Sequence, residues 1–464
     1  MEIRMKSVAL HNLGCKVNGY EMDVMQQMLE DRGYQVVPFD KKADIYIVNT
    51  CTVTNIADRK SRQMLHRARK TNPQAVIVAV GCYVQTGGEE ALRDTGIDLA
   101  VGNNRKKDLI PLLEEFLVQR EKNKKPDKTL SGKSLIEIGR EREYESMTLE
   151  RTAEHTRAFI KIQDGCNQFC SYCIIPYARG RVRSRGREEI LQEVRGLADA
   201  GYREVVLTGI HLSSYGLDFD EKGALSPDGS FPHQRLLSLI REIQETRGIE
   251  RIRLGSLEPR IITEDFVREL SVLSKLCPHF HLSLQSGCDS VLQRMNRKYT
   301  AGEYYNKVCM LRNYFDNPAI TTDVIAGFPG ETWEEFEDTR NFLEKTGFYE
   351  LHVFKYSMRR NTAAASMPDQ VPESVKAQRS NLLLELGQSL SAGYRKEHLH
   401  KKTAILFEEE KEIGGERYQV GYSPEYIRAA LPGREPLSGR IITGEPVGFL
   451  EPDLLLFSPA DTCG

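Results

Sequence analysis

The sequence predicts an α/β protein in three parts: an N-terminal doubly wound parallel sheet, a central partial (βα)6 barrel and a small C-terminal all-β module. Three observations lead there. Short apolar runs alternate with helical patterns up to about residue 118; the alternation resumes, with a longer repeat, from Thr156 to about residue 357; beyond Lys401 only short strand-like runs remain. Alternating strands and helices imply parallel sheets with helical cover, whereas a succession of short strands implies an all-β unit. The chain has 464 residues, too many for one core when domains run to about 100–200 residues.

In the first part, "SVAL" at Ser7, "ADIYIV" at Ala43, "AVIVAV" at Ala75 and "IDLAVG" at Ile97 read as buried strands, with helices near 18–31 and 55–70 between them. These define a domain over residues 1–118. Residues 119–154 are charged and weakly periodic, a linker with room for one short strand at "SLIEIG". Residues 155–400 form the second domain. Its strands are "RAFIKI" at Arg157, "REVVLTG" at Arg203, "RIRLGSL" at Arg251, "HFHLSLQ" at His279, "AITTDVIAGF" at Ala319 and "ELHVFKYS" at Glu350. Six strands separated by helices close most naturally into a parallel or partial barrel. After the Pro-Gly turn of "FPGE", Thr332 to Glu335 is a capping box that starts a helix, and a long helix from about Pro372 to Leu399 leads out of the domain. Residues 401–464, with "TAILFEEE", "YQVGYS", "YIRAAL" and "RIITGEPVG", are the all-β module.

Composition narrows the function. A 40% hydrophobic and 28% charged content is that of a folded globular chain, and a net charge of −2 supplies no global attraction to nucleic acid, so any RNA contact must use local basic patches. No apolar run approaches the roughly 20 residues that cross a bilayer, and the N-terminus lacks a signal-peptide core; a cytoplasmic location with no membrane partner is expected. In a reducing compartment, clusters among the ten cysteines point to metal or catalysis rather than disulfides.

The first cluster lies in "DGCNQFCSYCIIPYARG", where Cys166, Cys170 and Cys173 follow a strand and fall in its exit loop, the face where parallel α/β folds build active sites. A four-iron four-sulfur cubane takes four ligands, so three cysteines leave one iron open to a small molecule. A zinc site completed by a distant ligand, or buried free thiols, are the alternatives; paired C-x2-C units or nearby histidines, the usual zinc pattern, do not follow. The second cluster is dispersed. Cys15, Cys51 and Cys82 each stand just past the carboxyl end of a strand in one parallel sheet, where loops gather at one face, although buried packing is the commoner fate of a single cysteine. Cys277, Cys288, Cys309 and Cys463 share no spacing and receive no role, and His211, alone in a candidate site loop, reads as structural.

CxxxCxxC after the first strand of a six-strand βα domain resembles the radical S-adenosylmethionine superfamily, and "LTGIHLSSYG" from Leu207, "RLGSLEP" from Arg253 and "TTDVIAGFPGET" from Thr321 resemble its cofactor-contacting segments. Two three-cysteine sets, with "NLGCKVNGYE", "VNTCTVTNIADRKSRQ", "AVGCYVQ" and "HLSLQSGCDSVLQRMNRKYT", resemble the methylthiotransferases over nearly the whole chain. "GCKVN", "NTCTVTN" and "GCNQFCSYCIIPYARG" are most similar to the branch acting on N6-threonylcarbamoyladenosine in tRNA, ahead of the isopentenyladenosine and ribosomal-protein branches.

That resemblance implies two 4Fe-4S clusters and S-adenosylmethionine as cofactors. Cys166, Cys170 and Cys173 would hold the catalytic radical-SAM cluster, and Cys15, Cys51 and Cys82 the auxiliary cluster that carries sulfur for C2 of the adenine beside the anticodon. A second S-adenosylmethionine would supply the methyl group. The implied partners are a tRNA anticodon stem-loop, an electron donor such as flavodoxin or ferredoxin, and a sulfur donor, and the C-terminal module resembles a TRAM-like RNA-binding barrel. A noncatalytic metal-containing RNA-binding module is the reading from another class.

Two basic runs are candidates for RNA phosphates, although a solvated charged face is the commoner fate of a charge run, and the second, next to the cysteines, suits RNA or S-adenosylmethionine. "ADRKSRQMLHRARK" sets Arg59, Arg62, His66, Arg69 and Lys70 along one helical side, and "ARGRVRSRGR" places Arg179, Arg181, Arg183, Arg185 and Arg187 beside the radical cysteines. Two departures from the family pattern stand out. Asn361 occupies a turn where glycine is common, a position asparagine tolerates, and the C-terminal module has seven Lys/Arg against eleven Asp/Glu, which argues against strong phosphate binding there.

Overall fold

The structure, a computed structural model, describes residues 5–94, 96–122, 134–151, 156–219, 225–226 and 229–460. Its N-terminal sheet comprises β1 (Ser7–Asn12), β2 (Gln35–Val37), β3 (Ile45–Thr50), β4 (Val76–Gly81) and β5 (Leu99–Val101), all parallel, in the order β2-β1-β3-β4-β5. Helices α1 (Lys16–Asp31), α2 (Asn55–Thr71), α3 (Cys82–Leu92) and α4 (Leu109–Glu121) cover it. β3 and β4 are buried along their whole length, as central strands covered on both faces must be, and a separate apolar cluster lies on each side of the sheet. All four expected strands are present. The three-residue edge strand β2 and helix α3 had no clear sequence signal; α3 is interrupted at Gly88, whose φ of 48° breaks helical periodicity.

The expected strand at "SLIEIG" does not form. Ile138–Arg140 is instead a 3-10 turn, and the second half of the expected linker is packed structure: Met147 and Leu149 join the N-terminal core, and the Tyr20 hydroxyl donates to Met147 O at 2.6 Å. Charge at Glu145 looked like linker composition, yet its carboxylate is buried and accepts from Lys107 N at 2.8 Å.

All six expected central strands form: β6 (Arg157–Asp164), β8 (Glu204–Gly209), β9 (Arg251–Leu254), β10 (His279–His281), β11 (Ala319–Ala326) and β12 (Glu350–Lys355). A two-residue strand, β7 (Arg183–Ser184), is added antiparallel to β6. The order is β7-β6-β8-β9, then β10-β11-β12, with parallel bridges such as Leu257 to Leu282 joining the halves. No ladder joins β12 to β6 among the described residues, so the barrel is partial. The capping box is realised: Thr332 Oγ1 accepts from Glu335 N at 3.2 Å and Glu335 Oε2 from Thr332 N at 3.0 Å. Asn361 adopts φ 67°, the left-handed turn expected of it, and the long helix spans Glu373–Glu397.

The C-terminal module is a closed barrel of β13 (Thr403–Ile413), β14 (Glu416–Tyr422), β15 (Arg428–Pro432), β16 (Ile441–Glu451) and β17 (Leu454–Pro459). It docks on the central strands through arginines that reach its carbonyls: Arg251 donates to Ala404 O at 2.6 Å and Arg253 to Pro424 O at 2.8 Å.

The N-terminal domain is tied to both edges of the open barrel. On the β6 edge, Glu21 of α1 is buried against Arg179 at 2.8 Å, Lys161 at 2.7 Å and Lys106 at 3.0 Å. Beyond β12, Arg359 donates to Asp58 at 2.6 Å and to Thr52 at 2.7 Å. Among the described residues no helix is long and apolar enough to cross a membrane.

Candidate functional site

Cys166, Cys170 and Cys173 lie in the loop that leaves β6. Gly165 starts it at φ 71°, and a Cβ there would come within 1.9 Å of Arg181 O, so only glycine lets the chain turn so close to the returning strand. Phe169, also at positive φ, is braced by Asn296 Nδ2, which donates to its carbonyl at 3.0 Å, while Ser171 N donates to Met295 O at 3.0 Å. The segment "RMNRKYT" thus clamps the cysteine loop, and Arg297 within it donates to Cys170 Sγ at 3.3 Å. Sequence reasoning quoted this segment as a motif but gave Arg297 no role. Burial pushes the Cys166 thiol up to about 12 and that of Cys173 up as well.

The second set is assembled from three strand ends. Cys15 caps α1 after β1, Cys51 follows β3, and Cys82 opens α3 directly after β4. Cys15 is exposed, whereas Cys51 and Cys82 are buried. They are close enough that the Cys82 and Cys15 charges add to burial in raising Cys51 to about 11. Asn18, one turn into α1, links the Cys15 and Cys51 strand ends to the barrel. Its Nδ2 donates to Asn49 Oδ1 at 3.2 Å and Thr50 O at 3.1 Å, and its Oδ1 accepts from Arg179 at 2.6 Å. Asn103 donates to Cys82 Sγ at 3.4 Å and to Ala178 O at 2.8 Å, which fastens this set to the helix that follows Cys173.

Between the two domains is a cleft of about 330 Å³. Cys166, Cys170, Cys173, His211, Ser256 and Asp323 line it from the barrel, and Val53 and Thr54 from the loop after Cys51. Ser256 and Ser283 exchange a hydrogen bond at 2.9 Å on its wall, and His281 Nε2 lies 3.2 Å from Asp323. His211 bonds Ser214 through Nδ1 at 2.7 Å, yet its Nε2 is buried with no partner. Burial and the Arg297 and Arg260 charges hold His211 down to about 3, so it stays neutral.

These residues fit iron–sulfur clusters. Each set supplies three thiols, with N–H donors aimed at sulfur from Gln168 N and Arg297 in one and Asn103 in the other. Among the described residues no three His, Cys, Asp or Glu side chains converge as ligands of one ion would; the thiolates of a cubane each hold a different iron and so stand further apart around their common cluster.

The arginine run beside the cysteines is not a phosphate surface. Arg179, Arg183 and Arg185 are wholly buried, held by Glu21, Asp164 and Glu193; Arg187 pairs with Glu242, and only Arg181 is exposed without an acidic partner, over the Phe169 ring at 4.5 Å. Burial by itself would raise the Glu21 carboxyl, but Arg179, Lys106 and Lys161 outweigh it and hold that group well below the usual range. On α2, Arg69 is committed to Asp98 at 2.5 Å and His66 to Asp94 at 3.2 Å, which leaves Arg59, Lys60, Arg62, Arg67 and Lys70 exposed.

Residues 7–102 match the family described as Uncharacterized protein family UPF0004, and residues 160–343 match the Radical SAM superfamily. The chain is 40% identical, over 94% of its length and 93% of the relative's, to threonylcarbamoyladenosine tRNA methylthiotransferase MtaB of Bacillus subtilis (strain 168). It is 33% identical, over 94% of its length and 95% of the relative's, to tRNA-2-methylthio-N(6)-dimethylallyladenosine synthase of Moorella thermoacetica. Among solved structures, the radical S-adenosylmethionine methyltransferase TsrM of Kitasatospora setae shares its fold, with a TM-score of 0.53 at 16% identity over 78% of this chain and 74% of that one.

Proposed function

This chain belongs to the radical S-adenosylmethionine tRNA methylthiotransferases, and on that premise we propose that it converts N6-threonylcarbamoyladenosine beside the tRNA anticodon to its 2-methylthio derivative. The observation that carries the reading is an interdomain cleft lined by Cys166, Cys170 and Cys173 on one side and by the loop after Cys51 on the other, in a chain 40% identical to a threonylcarbamoyladenosine tRNA methylthiotransferase. When bound, a cluster on Cys166, Cys170 and Cys173 supplies an electron to S-adenosylmethionine, and one on Cys15, Cys51 and Cys82 supplies sulfur.

The chain's own groups prepare the site. Thiols held high by burial release their protons only as metal replaces them, so loading is coupled to deprotonation. The guanidinium of Arg297 aims an N–H at the Cys170 sulfur, and the neutral, unpartnered His211 Nε2 adds a polar atom beside the cleft. Val53 and Phe354 are exposed apolar side chains lining the cleft, surfaces on which an unstacked base can lie. The exposed cations of α2 supply phosphate contacts that the acidic C-terminal module lacks. An electron donor of the flavodoxin or ferredoxin type and a sulfur donor complete the system in the cytoplasm.

Anaerobic reconstitution followed by reduction tests the chemistry: a brown protein that forms 5′-deoxyadenosine is expected, and a colourless one that leaves S-adenosylmethionine intact overturns the reading. Mass spectrometry of tRNA nucleosides from cells with and without the gene tests the substrate. Loss of 2-methylthio-N6-threonylcarbamoyladenosine in the deletion is expected; unchanged nucleosides reject that substrate.

A further inference from the structure

Past β12 the chain runs along the interdomain cleft and then turns. Phe354, Tyr356 and Ser357 line the cleft, and the turn that follows is closed where Arg359 O accepts from Thr362 Oγ1 at 2.7 Å and Asn361 takes its φ of 67°. This turn touches both thiol sets. After it, Ala364 N donates at 2.7 Å to the carbonyl of Ser171, which lies between Cys170 and Cys173 in the loop. Before it, the buried Arg359 guanidinium donates to Asn55 Oδ1 at 2.6 Å, Asp58 Oδ2 at 2.6 Å and Thr52 Oγ1 at 2.7 Å, and Ser357 Oγ accepts from Asn55 N at 3.0 Å. Thr52 follows Cys51 directly, and its hydroxyl lies 3.3 Å from that of Thr86, which donates to Cys82 O at 3.0 Å. A chain of hydrogen bonds thus runs from the exit of the barrel to the backbone of two cysteines of the N-terminal set.

The two sets belong to different domains, and two domains joined at one edge can open about that edge. Joined at both, they keep their spacing unless one tie breaks. The Glu21 network makes the first tie at β6, and Arg359 makes the second beyond β12. A guanidinium suits this place, because its rigid planar fork fixes the direction as well as the length of its bonds to three acceptors on the facing domain.

Resting on the two-cluster reading above, we propose that Arg359 is a positioning residue that sets the distance between the two thiol sets, so that the adenine carbon activated by one meets the sulfur held by the other. Reacting groups must be held within a narrow range of distance, and a small displacement far from the chemistry is enough to lose the reaction. Loss of Arg359 leaves each set intact and the pair wrongly spaced, which costs the joint reaction and spares its first half.

The test compares reconstituted full-length wild-type and Arg359→Gln proteins in iron content, in 5′-deoxyadenosine formed and in methylthio product formed on an anticodon stem-loop RNA carrying N6-threonylcarbamoyladenosine. A fourth readout needs no substrate: the magnetic interaction between the two reduced clusters, measured by pulsed EPR. Arg359→Gln is expected to keep its iron and its 5′-deoxyadenosine, to lose methylthio product by about a hundredfold, the cost of roughly 1 Å of misplacement, and to show a weakened or broadened interaction between the clusters. Asp58→Asn removes an acceptor from the other side of the same tie, and is expected to uncouple the two products in the same direction, with the double variant no worse than Arg359→Gln by itself. A wild-type ratio of the two products in Arg359→Gln overturns the inference, as does an unchanged interaction between the clusters or a simple addition of the two substitutions' effects. Iron lost from the N-terminal set, with product falling in proportion, assigns Arg359 to the folding of that domain and also overturns it. A wild-type protein that holds both clusters but leaves this RNA unmodified removes the proposed substrate, and the EPR comparison still decides the role of Arg359; a colourless protein removes both.

Discussion

The two cysteine sets are built in opposite ways. Cys166, Cys170 and Cys173 come from eight consecutive residues of one loop, whose turns are set by Gly165 and Phe169 and clamped by a single neighbouring segment. Cys15, Cys51 and Cys82 come from three strands spread over 68 residues of sequence, and they meet only because parallel strands deliver their loops to one face. The difference teaches where each site is vulnerable. The first depends on local backbone conformation, and the second on the register of a whole sheet and on the buried charge network of Glu21 and Arg179 that seats it against the barrel.

The largest effect expected is that of Cys166→Ala, which should reduce 5′-deoxyadenosine formation to background; persistence of cleavage would break the assignment of the loop set. Cys51→Ala should sharpen the contrast, because reductive cleavage should continue while the methylthio product disappears by mass spectrometry. If Cys51→Ala lost both activities, the sets would not divide the labour as proposed.

Glu21→Gln probes the network between them. It leaves Arg179, Lys161 and Lys106 short of one buried carboxylate, a change that costs about 3–5 kcal/mol. Urea unfolding should show that loss, and iron analysis should show the N-terminal set emptied before the loop set. Since the three cations hold the Glu21 carboxyl well below its unfolded range, its contribution is present above about pH 4.5 and is lost as pH falls through the lower folded value. Wild-type stability should therefore fall with acid more steeply than that of Glu21→Gln. The smallest effect is expected from Arg59→Gln with Lys60→Gln, exposed on α2: RNA binding should weaken alike for all sequences, and its salt slope should drop by about two.

Much of this was legible in the sequence. The three-then-two spacing announced the loop set, and the position of Cys15, Cys51 and Cys82 after apolar strand runs announced the dispersed one, because strand period and chain order are local properties. The arginine run was misread for a physical reason. "ARGRVRSRGR" displays its charge but not its partners, and Glu21 precedes Arg179 by 158 residues. Arg297 and Asn103 were missed similarly: each touches a cysteine far from it in sequence, by 127 and 21 residues.

By itself the sequence determined the parallel strands, the two incomplete thiol sets and the family to which they belong, since apolar periodicity and cysteine spacing act over a few residues at a time. Only the tertiary structure decided which cations remain free. Arg179, Arg183 and Arg185 are held by buried carboxylates while Arg59 and Lys60 stay in solvent, because the partner of a charge is set by folding and not by neighbours in the chain.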